Sequence, residues 1–302
     1  MTGRLVHTGQ VIVDLVMRVG ELPVPGGDVL AGSHGLSAGG GFNVMAAAAR
    51  SGARVRYAGA HGTGRFGDQA RAALRTEGIE VDRPPSAERD TGVCVVLVDP
   101  SGERTFVTGT GAEGFLPAHG FSGIETTSDD LVYVSGYSLL HESNRAALLE
   151  WLPVVRAKVL FDPGPLAAEI DHGTMAIVLS TVDIVSGNAR EAQSLSGTDD
   201  LESAAQVLAE RIGGTAVVRN GPAGCVLAHR GELRVVPGFP VKPVDTNGAG
   251  DTHCGVLAAA LLAGASPEAA AVRANAAAAL SVLREGPATA PAAAEIDRFL
   301  AD

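Results

Sequence analysis

Val244-Asp245-Thr246-Asn247-Gly248-Ala249-Gly250-Asp251-Thr252 is the stretch whose reading decides the fold. Its small residues permit close approach to the backbone, and an apolar run over 250–262 that reads as a helix begins at once. The first N–H groups of a helix lack intrahelical acceptors, and the helix dipole adds positive charge there. The segment is therefore an anion site. Asp251, the acid at the helix start, has two readings. It is an N-terminal cap, or it is a base held beside a transferring phosphate.

Outward from this segment, helices are expected at 267–283 and 292–300. Upstream, strands at 131–135, 158–161, 182–185 and 215–219 alternate with helices at 143–151, 189–195 and 201–211. Such alternation predicts a mostly parallel sheet with helices on both faces. A hairpin pairs 224–228 with 232–236. Nearer the start, 5–13 reads as one strand closing at Asp14, and Pro23, Pro25, Gly26 and Gly27 then break the chain. A strand over 29–36, a helix over 43–50, a strand over 54–60 and a helix over 68–76 follow. The run 91–98, a turn at Asp99-Pro100-Ser101-Gly102 and 103–108 form a hairpin. The strand-rich pieces, roughly 11–37 and 90–110, read as a small β appendage on one α/β body spanning 1–302.

Composition narrows the function. Of 302 residues, 46% are hydrophobic and 19% charged, enough apolar material for a large core. Acids outnumber bases 34 to 23, a net charge of −11, which argues against nucleic acid and anionic membranes as partners. Cys94, Cys225 and Cys254 lie far apart with no CxxC, and no apolar leader follows Met1. A reducing, cytoplasmic setting is expected.

Two motifs match other chemistries literally. Gly62-Thr63-Gly64-Arg65-Phe66-Gly67 is a GxGxxG, the basis of a nicotinamide dehydrogenase reading. It belongs to the second strand–helix pair and has no acid at a strand end about 20 residues on. Gly35-Leu36-Ser37-Ala38-Gly39 is a GxSxG, with Asp162 and His172 downstream to complete a hydrolase order. The glycines at 39–41 make it too loose for a strained elbow. A P-loop and a metal cluster of plausible spacing are both lacking in the sequence.

Four motifs occur in order: Ala38-Gly39-Gly40-Gly41-Phe42-Asn43, with Gly52 and Gly62 beyond; Asn188-Ala189-Arg190-Glu191; Arg219-Asn220-Gly221-Pro222-Ala223-Gly224; and Asp245 through Asp251. On these residues the chain resembles the ribokinase-like, PfkB-type carbohydrate kinase family nearly end to end. They are similar to its first signature, its NxxE, its TxGxxG nucleotide loop and its second signature.

The resemblance implies a Rossmann-like, mostly parallel central sheet flanked by helices, with a small β-sheet lid. It implies ATP as donor, Mg²⁺, a sugar or nucleoside hydroxyl as acceptor, and a homodimer. Asp251 is similar to the family's catalytic base, and the amides of Gly248, Ala249 and Gly250 would line its anion hole. Asn188 and Glu191 would organise phosphates and Mg²⁺ through water. Gly221 and Gly224 match the ATP loop, and Asn275 falls near the adenine pocket. Asp14, Gly39, Gly40 and Asn43 match positions that hold acceptor hydroxyls, for which a carboxylate and a carboxamide are suited. Plainer readings stand beside these: Asp14 capping a turn, Asn43 capping a helix, Glu191 solvated on one. A non-catalytic binding protein on the same fold is the alternative from another class.

Some positions depart from the family pattern. Met45 and Val256 replace smaller residues, which implies local repacking. Arg219 replaces a threonine; reach to ATP phosphates is favoured over solvent. Ala290 stands where a serine often completes a monovalent-cation site. That argues against potassium activation, although the Asp245 loop remains as a candidate ligand. The segments matching the acceptor site, 9–14 and 26–43, contain no Lys or Arg and do contain Asp14 and Asp28. An unphosphorylated acceptor is therefore expected. Arg65 and Arg104, the nearest candidate clamps, read as surface residues.

Overall fold

The computed structural model describes residues 3–117 and 119–301. In chain order its strands are β1 (Arg4–His7), β2 (Val11–Val19), β3 (Ala31–Gly40), β4 (Arg54–Tyr57), β5 (Glu80–Val81), β6 (Val93–Val98), β7 (Arg104–Gly109), β8 (Leu131–Ser135), β9 (Lys158–Asp162), β10 (Ile184–Asn188), β11 (Thr215–Arg219), β12 (Gly224–His229) and β13 (Glu232–Pro237). Its α-helices are α1 (Phe42–Arg50), α2 (Arg65–Thr76), α3 (Gly136–Leu140), α4 (Glu142–Trp151), α5 (His172–Leu179), α6 (Ala189–Ser196), α7 (Leu201–Ile212), α8 (Ala249–Leu262), α9 (Pro267–Ser281) and α10 (Ala293–Ala301).

Among the described residues the larger sheet has the order β13-β12-β11-β10-β9-β8-β1-β4-β5. It is parallel from β5 to β11, and the β12–β13 hairpin adds an antiparallel edge. Successive strand residues point to opposite faces, so the apolar runs supply two cores. Leu5, Tyr133, Leu160 and Val217 pack under α1, α8 and α9; Val6, Val134, Phe161 and Val218 pack under α4 and α7. Helix α8 is apolar all round because it is enclosed. Cys254, Val256, Leu257 and Ala258 are all buried, against α1 on one side and α9 on the other. Met45 and Val256 are both fully buried in this layer, where their extra bulk is accommodated.

The smaller sheet has the order β3-β2-β6-β7. Register places Asp14 beside Ser37 and Cys94, and Cys94 beside Thr108; two rungs on, Arg18, Val98 and Arg104 form another row of the same face. That face turns toward the larger sheet, because Arg18 pairs with Glu285 and Arg104 with Asp245. The opposite face carries Leu15, Met17, Val95, Leu97 and Val107.

One expectation fails instructively. The run 5–13, read as one strand, is β1 of the larger sheet and β2 of the smaller. Thr8 bonds Tyr133 O through both N (3.1 Å) and Oγ1 (2.8 Å), Gly9 N turns onto His7 Nδ1 (3.1 Å), and the chain leaves one sheet for the other. The apolar pattern continues on both sides, so periodicity cannot show the break. Strand β3 also runs on to Gly40, past the expected 36, and β5, α3 and α5 were not expected. Among the described residues no helix is long and apolar enough to cross a membrane. The three cysteines are free and buried.

Candidate active site

The parallel strands β9, β10 and β11 end on Asp162, Asn188 and Arg219. Ligands of open α/β sheets gather at this carboxyl edge. The N-terminus of α8 points into the same region. Its cap, Gly248, has φ +72°, and a Cβ there would lie 1.9 Å from Pro287 O, so conformation and space both demand glycine. Of the three amides expected in the anion hole, that of Ala249 turns to Thr246 O at 3.4 Å. Those of Gly248, Gly250 and Asp251 have no acceptor among the described residues.

Asp251 lies in the first turn of α8 and makes no capping bond, which removes the plainer reading of it. Its Oδ2 accepts from Asn43 Nδ2 at 3.0 Å. Asn43 is not a cap either: Gly41 is, and Asn43 lies inside α1. Its Oδ1 is buried without a partner, an acceptor waiting for a donor. Asp14 comes from the small sheet and is 9% exposed. Burial, then the charge of Asp251, pushes its carboxyl up to about 7. Burial also raises Asp251, to about 6; the Asn43 bond and Arg219 oppose the rise, and Asp162 adds to it.

Gly39 makes room for Asp14. A Cβ at 39 would lie 2.1 Å from Asp14 Oδ2. Gly39→Ala is expected to displace the carboxylate and raise the KM of the acceptor about tenfold or more, leaving the KM of ATP unchanged. Steady-state kinetics in both substrates checks this split, and equal effects on both would refute it.

Asn188 and Glu191 form a reciprocal cap. Asn188 Oδ1 accepts from Glu191 N (3.0 Å), Glu191 Oε2 accepts from Asn188 N (2.7 Å), and Asn188 Nδ2 donates to Oε1 (2.7 Å). Glu191 is 7% exposed, so it is no solvated helix residue. Burial, then the charge of Asp162, raises its carboxyl.

Arg219 points neither to solvent nor outward into the cleft. Its Nη1 donates to Cys254 Sγ (2.7 Å), Ser186 Oγ (3.0 Å) and Asp162 Oδ2 (3.2 Å), and its Nη2 to Glu191 Oε2 (3.4 Å). A Cβ at Gly250 would sit 3.7 Å from Nη2, so the guanidinium lies against the first turn of α8. Burial alone would lower its pKa, but the carboxylates of Asp162 and Glu191 hold the charge more firmly.

The remaining expected residues divide. Gly221 and Gly224 bound the turn after β11, closed by Asn220 N to Gly224 O at 2.7 Å. Asn275 is buried. Its Nδ2 donates to Val236 O and Pro237 O, both at 3.1 Å, and its Oδ1 meets His253 Nε2 at 3.2 Å. It pins the end of β13 and has every polar atom engaged. Asp245 Oδ1 pairs with Arg104 and accepts from Asn247 N (2.8 Å), and its Oδ2 accepts from Gly286 N (3.1 Å). The carboxylate expected as a cation ligand thus already has a cation. Arg104, read as a surface residue, has a side chain only 17% exposed.

Asp162 and Tyr137 also belong to this site, and no motif marks them. The sequence offers Asp162 only as a hydrolase partner; the signal for it is its place just past a predicted strand, and register continues it to Ser186, two residues short of the row of Asn188 and Arg219. Tyr137, on the unexpected α3, is 43% exposed. Burial first, then Asp251 and Asp162, pushes its hydroxyl up to about 12. The competing motifs fail. Asp90 fills the helix start that falls within Gly62-Thr63-Gly64-Arg65-Phe66-Gly67, accepting from Phe66 N (3.0 Å) and Gly67 N (2.7 Å), where a pyrophosphate would have to bind. Ser37 lies mid-strand in β3, not on an elbow.

Comparison with known proteins bears on the chain as a whole. The family model for pfkB family carbohydrate kinases matches residues 2–294. A ribokinase from Haemophilus influenzae is 28% identical over 297 residues, covering 95% of this chain and 94% of that one. An ATP-dependent ribose-1-phosphate kinase from Halopiger xanaduensis is 29% identical over 301 residues, 99% and 98% of the two chains. The structure of Arabidopsis thaliana ribokinase complexed with ribose and ATP superposes with a TM-score of 0.81 at 25% identity, over 99% of both chains. With the glycine-capped helix, the adjacent acid and the covering sheet in place, these matches make the chain a member of the pfkB family of carbohydrate kinases.

Proposed function

We propose that the chain transfers the γ-phosphoryl group of ATP to a hydroxyl of an unphosphorylated sugar or nucleoside, with Asp251 as general base. The observation that carries this is Asp251 itself, held by Asn43 beside unpaired amides of α8 and faced by Asp14. Asn43 Nδ2 orients the carboxylate, and its free Oδ1 accepts from an acceptor hydroxyl. Asp14, Gly39 and Gly40 shape the hydroxyl-binding wall. Asp251 takes the proton as that hydroxyl attacks, and the α8 amides stabilise the charge on the phosphoryl oxygens.

The residues present suit ATP with Mg²⁺. Asp162, Glu191 and Asp251 surround one guanidinium, that of Arg219, so net negative charge remains for a divalent cation. Among the described residues no trio of ligating side chains converges, so Glu191 and its neighbours would hold Mg²⁺ through water and phosphate oxygens. The bound ion would spread charge on the transferring group. Asn188, Gly221, Gly224 and Asn275 would frame the nucleotide. No potassium requirement is proposed, because Arg104 already neutralises Asp245.

The relatives named above include kinases of ribose-type acceptors with and without a phosphate. The reading here is an acceptor without one, since Arg18 and Arg104, the cations on the lid face, are committed to Glu285 and Asp245. The test is ADP release over a panel of sugars, nucleosides and sugar phosphates. An unphosphorylated acceptor is expected to lead in kcat/KM by tenfold or more, about 1.4 kcal/mol. A sugar phosphate leading by that margin overturns the acceptor class, and no turnover with any acceptor points to the non-catalytic alternative. The free, buried cysteines favour a cytoplasmic setting. The apolar outer face of the lid, with Val107 63% exposed, favours a homodimer, which its mass in solution decides.

A further inference from the structure

We propose that Arg104 is a positioning residue that ties the lid to the anion-hole loop, so that the loop takes its reacting form when the lid covers the acceptor. The inference rests on the kinase reading above. Asp14 and Arg104 belong to one small sheet and share one face. Register puts Asp14, Cys94 and Thr108 in one row and Arg18, Val98 and Arg104 in another. Four residues of strand, about 13 Å, separate the rows. The hairpin bearing Arg104 is stiff: Asp99 Oδ1 accepts from Ser101 N (2.8 Å), Ser101 Oγ (2.6 Å) and Glu103 N (3.1 Å). Placing Asp14 over the acceptor therefore places Arg104 as well.

What Arg104 meets is the segment that builds the anion hole. Asp245 lies three residues before the cap Gly248, and its carboxylate joins three things: the Arg104 guanidinium, the amide of Asn247 inside the loop, and the amide of Gly286 on the opposite wall. Backbone bonds from Val244 N and Asp245 N to Val282 O, at 2.7 and 3.1 Å, hold only the start of the loop. Both partners of the ion pair are largely shielded, with side chains 17% and 8% exposed, so the pair is screened less than one in water. By contrast Arg18–Glu285 is open, at 45% and 65%, and serves as an accessory contact. Asp14 on the lid and Asn43 beneath it are 9% and 6% exposed, so an acceptor reaches them only when that face lifts. Lifting it withdraws Arg104, and seating it returns the charge to Asp245. A phosphoryl group then meets an ordered anion hole only with an acceptor in place.

Arg104→Gln, Arg104→Lys and Arg104→Ala in the full chain test this, with ADP release measured with and without the best acceptor of the panel. Arg104→Gln is expected to lower acceptor-dependent kcat about tenfold to a hundredfold, leaving acceptor-free hydrolysis and the KM of ATP unchanged. Arg104→Lys should recover part of the loss. Free guanidinium ion at low millimolar concentration should raise the rate of Arg104→Ala and not that of the wild type. A kcat of Arg104→Gln near wild type overturns the proposal. So does a loss that guanidinium does not restore, or one shared equally by acceptor-free hydrolysis, since a merely structural contact gives those results. A wild-type chain that turns over no acceptor overturns the kinase reading instead, and this inference with it.

Discussion

Asp251→Asn is expected to lower kcat by about 10²–10⁴ while ATP binding survives, the range for loss of a positioned general base. The substitution keeps the shape of the side chain and still meets Asn43, whose amide can rotate to offer its oxygen. What it removes is the only group on α8's first turn that can take a proton from a hydroxyl held by Asn43 and Asp14. Retention of near wild-type kcat would return Asp251 to a structural role. The pH dependence follows from the same environment. A base must be unprotonated, so kcat/KM should fall as pH drops through about 6, the value to which burial raises Asp251. Asp14, raised to about 7 by burial and by the charge of Asp251, titrates beside it, and repulsion between the two should spread that limb over a wider pH range than a lone carboxyl gives. Stability runs the other way. Both carboxyls have raised pKa values in the fold, so their contribution is full below the unfolded value near 4 and is lost as pH rises through 6 to 7. Asp251→Asn should therefore raise Tm at pH 8 relative to wild type, with the gain vanishing toward pH 4.

The body of the fold was legible because its physics is local. Apolar runs such as Leu131-Val132-Tyr133-Val134 bury both faces of a strand, and they alternate with helical segments as a parallel sheet requires. The lid hairpin was legible from Asp99-Pro100-Ser101-Gly102. The passage from β1 to β2 was not, because Gly9 breaks the sheet without breaking the hydrophobic pattern. Helix α3, five residues long, is too short to show a period. Within the site, the residues carried by contiguous motifs are the ones that meet: Asn43 reaches Asp251, and Asn188 caps onto Glu191. Residues brought in by single long-range contacts had no such signal. Asp162 is 57 positions from Arg219, and Arg104 is 141 from Asp245. Their roles depend on where a strand ends or which face of a sheet turns inward. Arg219 was singled out by its charge, yet the direction of its side chain was set by burial beside two carboxylates, which a loop motif does not record.

Arg219→Met is expected to destabilise the fold by about 3–5 kcal/mol, the cost of breaking a buried ion pair by removing one partner. The variant keeps the bulk of the side chain. It leaves Asp162 and Glu191, 8% and 7% exposed, with no cation and only Gly164 N, Cys254 Sγ and the Asn188 cap to satisfy them. Replacing a partner as well should return much of the loss. In Arg219→Met with Asp162→Asn, one uncompensated charge disappears, so the double variant should be more stable than the sum of the single effects. Arg219 also opposes the rise of the Asp251 carboxyl. Its removal should therefore move the acid limb of the rate profile to higher pH, an effect that lost packing alone does not produce. The alternative, a direct grip on ATP phosphates, predicts a different pattern: a raised KM for ATP, unchanged stability and no shift of the limb. Denaturant unfolding of the single and double variants, with the pH profile of Arg219→Met, separates the two. A loss below about 1 kcal/mol, the range of an exposed pair, would mean that the guanidinium is not the charge holding Asp162 and Glu191 at the strand ends.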